Sequence, residues 1–194
     1  MAVREILAIK DLVRQSAEAL QKAVQHHWPV INPERNGLQE SNLTIHFAAR
    51  ALSAGLHVYP EASNHNVVDG HSRVDLFVKG QLGGNDVAIL VESKKLFSAG
   101  KAAEMYADYQ KMQKFQFAKS QGSNLEKEQG YLRLGVLLAV TADVNNKDWW
   151  IEPYPYDGRS WDRLAGALAK ACDKGSYEIT GSCPQHILYA VFQL

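Results

Sequence analysis

The segment SRVDLFVKGQLGGNDVAILVESKK, residues 72–95, decides the fold because it predicts two β-strands joined by a glycine-rich turn. Apolar residues alternate along residues 72–80 and run without a break through residues 87–91. Asp75 nevertheless interrupts the first of these segments, and Glu92 and Lys94 lie at the end of the second strand. Because burying an unpaired carboxylate is costly, these three side chains either reach solvent or hold something.

Strand geometry predicts that these three side chains meet. Successive side chains point to opposite faces of a strand, so Glu92 and Lys94 share one face near the end of theirs. If the two strands pair as a hairpin, Asp75 can lie beside Glu92. Adjacent carboxylates repel, and the pKa of one rises unless a cation neutralises them. Such oxygen-rich clusters suit a hard ion such as Mg²⁺, and a neighbouring ammonium group can orient water or offset charge on a phosphate.

The rest of the chain predicts helices on both faces of a mixed sheet. An antiparallel hairpin region followed by a β–α–β crossover gives this α/β arrangement. Before the hairpin, the predicted elements are a helix over 3–27, a helix over about 38–54 stopped by Gly55, a strand over 56–63 that Pro60 interrupts or ends, and a loop over 64–71. After the two hairpin strands come a helix from Lys101 to about Lys119, a polar connection over 120–130 and a strand over 131–142. The last part of the chain predicts a short edge strand with turns over 148–158, a capped helix over 160–175 and a final strand over 186–194.

Composition limits the classes of function. The 194 residues are 46% hydrophobic and 22% charged, as expected of a folded globular protein of one domain. Lys plus Arg equals Asp plus Glu at 21 each, so a polyanion would need a local basic patch or metal ions. No apolar run is long enough for a bilayer, and charges recur near the N-terminus. Cys172 and Cys183 form no disulfide framework, so we expect a cytoplasmic protein without a membrane partner.

The hairpin resembles the core of the PD-(D/E)XK nuclease superfamily, which has the restriction-endonuclease-like fold. That family carries an Asp on one hairpin strand and Glu/Asp-x-Lys on the next, positions matched here by Asp75, Glu92 and Lys94. The resemblance implies an αβββαβ core over about residues 38–141, within one domain of residues 1–194. An extra N-terminal helix and a C-terminal helix–strand pair would flank this core. The chain departs from the family pattern at Val74, where Pro is usual.

The resemblance implies a metal-dependent nuclease with DNA as the expected substrate. Asp75 and Glu92 would bind Mg²⁺ or Mn²⁺, and Lys94 would activate or orient the attacking water. Many family members add a Glu from the helix before the hairpin, for which Glu40 is the candidate here, and Glu61 competes with it as the third acid. The alternatives are a catalytically idle nuclease-like fold that binds nucleic acid or protein, and a hydrolase of smaller phosphate esters.

Further positions are secondary candidates. Arg73 either pairs with an acid or contacts phosphate. Tyr106 and Gln110, one turn apart, either face the site or, in the case of the tyrosine, belong to core packing; they reverse the order of a Gln-x-x-x-Tyr motif found in one exonuclease-like branch. Lysines that either follow a phosphate backbone or form a solvated helix face are Lys95, Lys101, Lys111, Lys114 and Lys119. A homodimer would suit double-strand cleavage, and a protein partner could supply specificity.

Overall fold

The structure, a computed structural model, describes residues 2–31, 37–63, 73–115, 130–155, 158–181 and 184–194. Its elements in chain order are α1 (Val3–Ile31), α2 (Glu40–Ser53), β1 (His57–Ser63), β2 (Arg73–Leu82), β3 (Asn85–Lys95), α3 (Ala99–Lys114), β4 (Leu132–Thr141), α4 (Val144–Ile151), α5 (Arg159–Leu168), β5 (Asp173–Ile179) and β6 (Gln185–Gln193). The predicted loop over 64–71, the end of the helix up to Lys119 and most of the connection over 120–130 lie outside the described residues.

The strands form one mixed sheet in the order β1-β2-β3-β4-β6-β5. Only β3 and β4 are parallel among the paired strands described, and α3 forms the crossover between them. One face of the sheet is covered by α1 and α2, and the other by α3, α4 and α5, with a separate apolar core under each layer. The predicted α/β fold with a mixed, helix-flanked sheet is therefore confirmed, and α2 to β4 follow the αβββαβ order.

Two sequence predictions in the C-terminal part were wrong. Residues 148–158 were expected to contain an edge strand, but residues up to Ile151 belong to helix α4, which Asp143 caps by accepting a hydrogen bond from the Asn145 backbone N–H at 2.8 Å. A helix buries both tryptophans: Trp149 packs edge-on against Trp161, and Trp150 donates to the Tyr189 carbonyl at 3.0 Å. The capped helix expected to reach residue 175 ends at Leu168, and residues 173–179 form the unpredicted edge strand β5.

Other boundaries differ by less. Pro60 does not interrupt β1, because β2 is the one neighbour of β1 among the described strands and an edge strand tolerates a missing N–H. Helix α1 continues to Ile31 across a non-helical residue, His27. Helix α3 starts before Lys101 because the Ser98 side chain caps it, accepting from the Lys101 backbone N–H at 3.3 Å. No helix among the described residues combines the length and the apolarity needed to cross a membrane.

The β2–β3 turn is anchored to the start of α1, at the opposite end of the hairpin from Glu92 and Lys94. Gly83 and Gly84 have φ values of 64° and 103°, which favour glycine. Asn85 donates a hydrogen bond to the buried Glu5 side chain at 2.7 Å. A Cβ on Gly83 would lie 2.8 Å from the Glu5 backbone nitrogen. The hairpin is thus fixed at its turn, which sets the register that carries the acids.

Candidate active site

The two hairpin strands separate at the predicted site. Their ladder ends at the Leu76–Val91 pair, and the Asp75 carboxylate then accepts a hydrogen bond from the Ser93 backbone N–H at 2.7 Å. The alternation predicted for β2 also ends here: Leu76 packs on the α1 side of the sheet, whereas Val74 joins the α3 side. A side chain therefore replaces the backbone partner of β3 at the point where the strands diverge.

Glu92 is the most deeply buried acid of this region, with 1% of its surface exposed. Lys111 of α3 forms an ion pair with Glu92 Oε1, and the same ammonium group lies 2.9 Å from Asp108 Oδ1. Lys94 Nζ lies 3.5 Å from the other oxygen of Asp108. Two lysines and two acids from β3 and α3 are thus interlocked on the α3 face of the sheet.

Glu40 approaches the end of β3 from the other face. As the first residue of α2, it accepts a hydrogen bond from the Lys95 backbone N–H at 2.9 Å through Oε1. One turn later, the Thr44 hydroxyl donates to the Ser93 hydroxyl at 3.0 Å. Glu61, the other candidate for the third acid, is exposed on β1 with a φ of 52° and makes no ion pair with a described residue. The structure brings Glu40, but not Glu61, to the cluster.

The cluster shifts the pKa values of its members. Burial, reinforced by the charge of Asp108, raises the pKa of Glu92 to about 8 although Lys111 opposes the shift. Burial also raises the pKa of Asp75, although the Ser93 N–H stabilises its charged form. For Lys94, burial would lower the pKa, but the carboxylates together raise it. The four carboxylates that act on Lys94 are Asp108, Glu40, Asp75 and Glu92.

The six side chains of this site form what we call the acid–lysine cluster: Asp75, Glu92, Glu40, Asp108, Lys94 and Lys111. Its net charge could be balanced by a divalent cation. Four carboxylates act on Lys94, and two ammonium groups, Lys94 and Lys111, are ion-paired with them, leaving a formal excess of two negative charges when all are ionised. Carboxylate oxygens are the ligands that Mg²⁺ and Mn²⁺ prefer. No three His, Cys, Asp or Glu residues in the described part of the chain are already grouped around one metal position. The four acids therefore fit such an ion in donor type and in charge.

Asp108 is a member of the cluster that sequence reasoning missed. It lies on α3 three residues before Lys111 and three after Met105, beside a buried stripe formed with Tyr109 and Met112. The sequence pattern that could have indicated this contact is an acid and a lysine three residues apart on the edge of an apolar helix stripe. The Asp108 Oδ2 atom is buried and accepts no hydrogen bond from the described residues. The ion pair with Lys94 therefore offsets the cost of burying this oxygen.

The secondary candidates occupy different places. Arg73 is exposed at the start of β2, opposite Ser63. Gln110 donates to the Tyr106 hydroxyl at 3.2 Å, so these two side chains contact each other on α3. Lys101 pairs with Glu104 at 2.7 Å. The structure differs most from expectation at Lys111, which contacts the acids and does not form part of a solvated helix face.

An open pocket of about 320 Å³ lies next to the Glu40–Lys95 contact. It is formed where β3 and β4 end and β6 begins, and its lining residues are Lys95, Phe97, Val140, Thr141, Ala142 and Gln185. Phe97 is 62% exposed. The pocket therefore includes an exposed aromatic ring, that of Phe97, which follows Lys94 closely in the chain.

Comparisons of the chain with protein-family models, with curated proteins and with solved structures found no match. No relative or structural neighbour therefore assigns a role to any residue of the acid–lysine cluster. The positions and charges of its side chains are the basis on which a function can be proposed.

Proposed function

We propose that this protein is a metal-dependent nuclease that hydrolyses phosphodiester bonds, with DNA as its substrate. The observation that carries the proposal is the convergence of Asp75, Glu92 and Glu40 around Lys94, from two strands and a helix. Acids combined with one lysine at the open end of a hairpin can supply the metal binding and the charge compensation that metal-assisted phosphodiester hydrolysis uses. The resemblance of Asp75 and Glu92-Ser93-Lys94 to the PD-(D/E)XK pattern supports the same proposal.

In this proposal each residue has a separate task. Asp75 and Glu92 would hold Mg²⁺ or Mn²⁺, and Glu40 would support the ion from α2. The bound ion would supply Lewis-acid activation of the phosphate and of the attacking water. Lys94 keeps its proton because the surrounding carboxylates raise its pKa. Its ammonium group would therefore orient the water and offset negative charge that develops on the phosphate.

The proposal extends to the setting of the enzyme. Double-strand cleavage by one catalytic set per chain is simplest for a homodimer, and a protein partner would supply specificity if the chain itself does not. The near-equal numbers of acidic and basic residues favour a local contact with nucleic acid through the groups around the site. A cytoplasmic location would suit these tasks.

One observation favours a second candidate function, a binding module without turnover. Lys111 pairs with Glu92 and Lys94 lies near Asp108, so the cluster is partly neutralised by its own lysines. Ion networks of this kind also occur for purely structural reasons. In that case the fold would bind nucleic acid or protein, and the acids would contribute to stability alone.

A cleavage assay separates the two functions. Linear duplex, supercoiled and single-stranded DNA, and RNA, are incubated with the protein in Mg²⁺, Mn²⁺ or EDTA. Asp75→Asn and Lys94→Met are compared with wild type and with Asp86→Asn, a matched control at the exposed far end of β3. The proposal predicts cutting that needs metal, is lost in both site variants and persists in the control. Cutting that survives both site substitutions, or no cutting of any substrate, would overturn it.

A further inference from the structure

The acid–lysine cluster contains one cation that the proposed chemistry does not use, the ammonium group of Lys111. It contacts the carboxylate of Glu92, which is the most deeply buried acid of the cluster and a proposed metal ligand. A metal ion and an ammonium group cannot occupy the same side of one carboxylate oxygen. The contact of Lys111 with Glu92 therefore bears directly on metal binding.

We infer that Lys111 is a built-in competitor for the divalent cation at Glu92, and that metal binds by displacing its ammonium group. This inference rests on the proposed function, since it concerns the same metal site. The ion would bring two positive charges where Lys111 brings one, against a cluster with a formal excess of two negative charges when Glu92 and the other three acids are ionised. Displacement is thus favoured at sufficient metal concentration and reversed when metal leaves.

The geometry allows this exchange without a change in the backbone. The Lys111 side chain is 22% exposed, whereas that of Glu92 is 2% exposed, so the ammonium group can withdraw towards solvent along its flexible stem. Asp108, which is on the same helix and 2.9 Å from Lys111 Nζ, provides a second partner. Lys111 can therefore give up Glu92 and remain ion-paired with Asp108.

The same contact also explains how the buried charge of Glu92 is compensated when no metal ion is bound. Without any cation, Glu92 would be a buried and unpaired carboxylate beside Asp75 and Asp108, which is costly. Where Glu92 is ionised in the metal-free protein, Lys111 compensates its charge. The consequence is a weaker affinity for metal than the acids alone would give.

Calorimetric titration of the metal-free full-length chain with Mn²⁺ tests the inference. Lys111→Met removes the charge and keeps the apolar stem, and Lys111→Gln removes the charge but can still donate a hydrogen bond to Glu92, which helps the variant to fold. The matched control is Lys114→Met, one turn later on the exposed part of α3. We expect both Lys111 variants to bind Mn²⁺ about 5- to 150-fold more tightly than wild type, and the control to match wild type.

Affinities in the Lys111 variants that equal or fall below the wild-type value would overturn the inference. The readout is independent of catalysis, so the two proposals can fail separately. Tighter Mn²⁺ binding by the variants without cleavage of any substrate would keep the inference and remove the nuclease. Metal-dependent cleavage by wild type with unchanged Mn²⁺ affinity in the variants would keep the nuclease and remove the competitor.

Discussion

The carboxylate of Asp75 accepts a hydrogen bond from the backbone N–H of Ser93 at 2.7 Å, at the first position where β2 and β3 no longer pair. Asp75 and Glu92 are the two proposed metal ligands, and this contact holds Asp75 against Ser93, the residue that follows Glu92. The orientation of the Asp75 side chain is therefore set by the divergence of the strands. A substitution that keeps the hydrogen bond but removes the charge separates structure from chemistry.

Asp75→Asn makes that separation. Its amide oxygen can still accept from the Ser93 N–H, so we expect a melting temperature close to that of wild type. Because the neutral amide is a poor metal ligand, Mn²⁺ binding and metal-dependent cleavage should both be lost. Calorimetry, thermal denaturation and the cleavage assay check this outcome. A variant that unfolds, or one that binds Mn²⁺ normally, would contradict the role assigned to Asp75.

Lys94→Met has a different expected effect. Lys94 is not a metal ligand in the proposal, so the variant should still bind Mn²⁺. Cleavage should fall by about 10²- to 10⁴-fold, because the group that orients water and offsets charge is absent. Single-turnover rates at saturating Mn²⁺ measure this loss. Equal rates for wild type and variant would exclude Lys94 from the chemistry.

Glu92 should make the stability of the metal-free protein dependent on pH. Its pKa is about 8 when folded and near its ordinary value of 4.5 when unfolded, so between these pH values the folded state binds the additional proton. The free energy of unfolding should therefore fall as the pH rises from about 4.5 to about 8, by at most about 1.4 kcal/mol per pH unit from this group.

Glu92→Gln provides the comparison for this pH dependence. The amide cannot ionise, so its free energy of unfolding should decline less over the same range, while the contribution of Asp75, whose pKa is also raised, remains. Urea denaturation in EDTA at several pH values gives both curves. Parallel curves for wild type and variant would show that Glu92 does not titrate in this range.

Phe97 provides a test of substrate contact. Its side chain is largely exposed beside the pocket near Lys95, so Phe97→Ala should leave the melting temperature unchanged. If a base stacks on this ring, the affinity for single-stranded DNA should fall by about 5- to 150-fold, as for loss of one stacking contact. Leu52→Ala, exposed at the far end of α2 from Glu40, is the control. Equal affinities for the two variants in fluorescence anisotropy would remove Phe97 from the binding surface.

The hairpin turn supplies a prediction about stability. Gly83 has a positive φ, and a Cβ there would lie 2.8 Å from the Glu5 backbone nitrogen, whereas a Cβ on Gly84 would meet open space. Both alanine variants carry backbone strain, but only Gly83→Ala adds the steric contact. We expect Gly83→Ala to lose about 1–3 kcal/mol more in the free energy of unfolding. Equal losses in chemical denaturation would show that α1 does not hold the turn.

The sequence was informative where local rules act. Strand alternation and the glycine turn placed Asp75, Glu92 and Lys94 correctly on paired strands, and helix periodicity placed Glu40 near the start of α2. Aromatic residues favour strands by propensity, so Trp149 and Trp150 were misleading, because their burial in α4 depends on packing with α5 and β6. Strand β5 contains many polar residues and lies at the edge of the sheet, so its sequence lacks the apolar alternation that indicates a strand.

The contacts between α3 and the acids could not be predicted from the sequence. Whether Lys111 points to solvent or to Glu92 depends on how α3 crosses β3, which no local pattern determines. Asp108 was missed for the same reason. These two residues decide the charge balance of the cluster, so this part of the candidate site depends on tertiary packing.

The proposed function depends above all on a divalent ion that would bind between Asp75 and Glu92. Anomalous diffraction from crystals of the full chain soaked in Mn²⁺ tests it most directly. We expect an anomalous peak coordinated by both carboxylates, at about the 2.0–2.2 Å separations of metal–oxygen bonds. The contradicting result is the absence of a peak at this position at saturating Mn²⁺, with Lys111 still paired with Glu92.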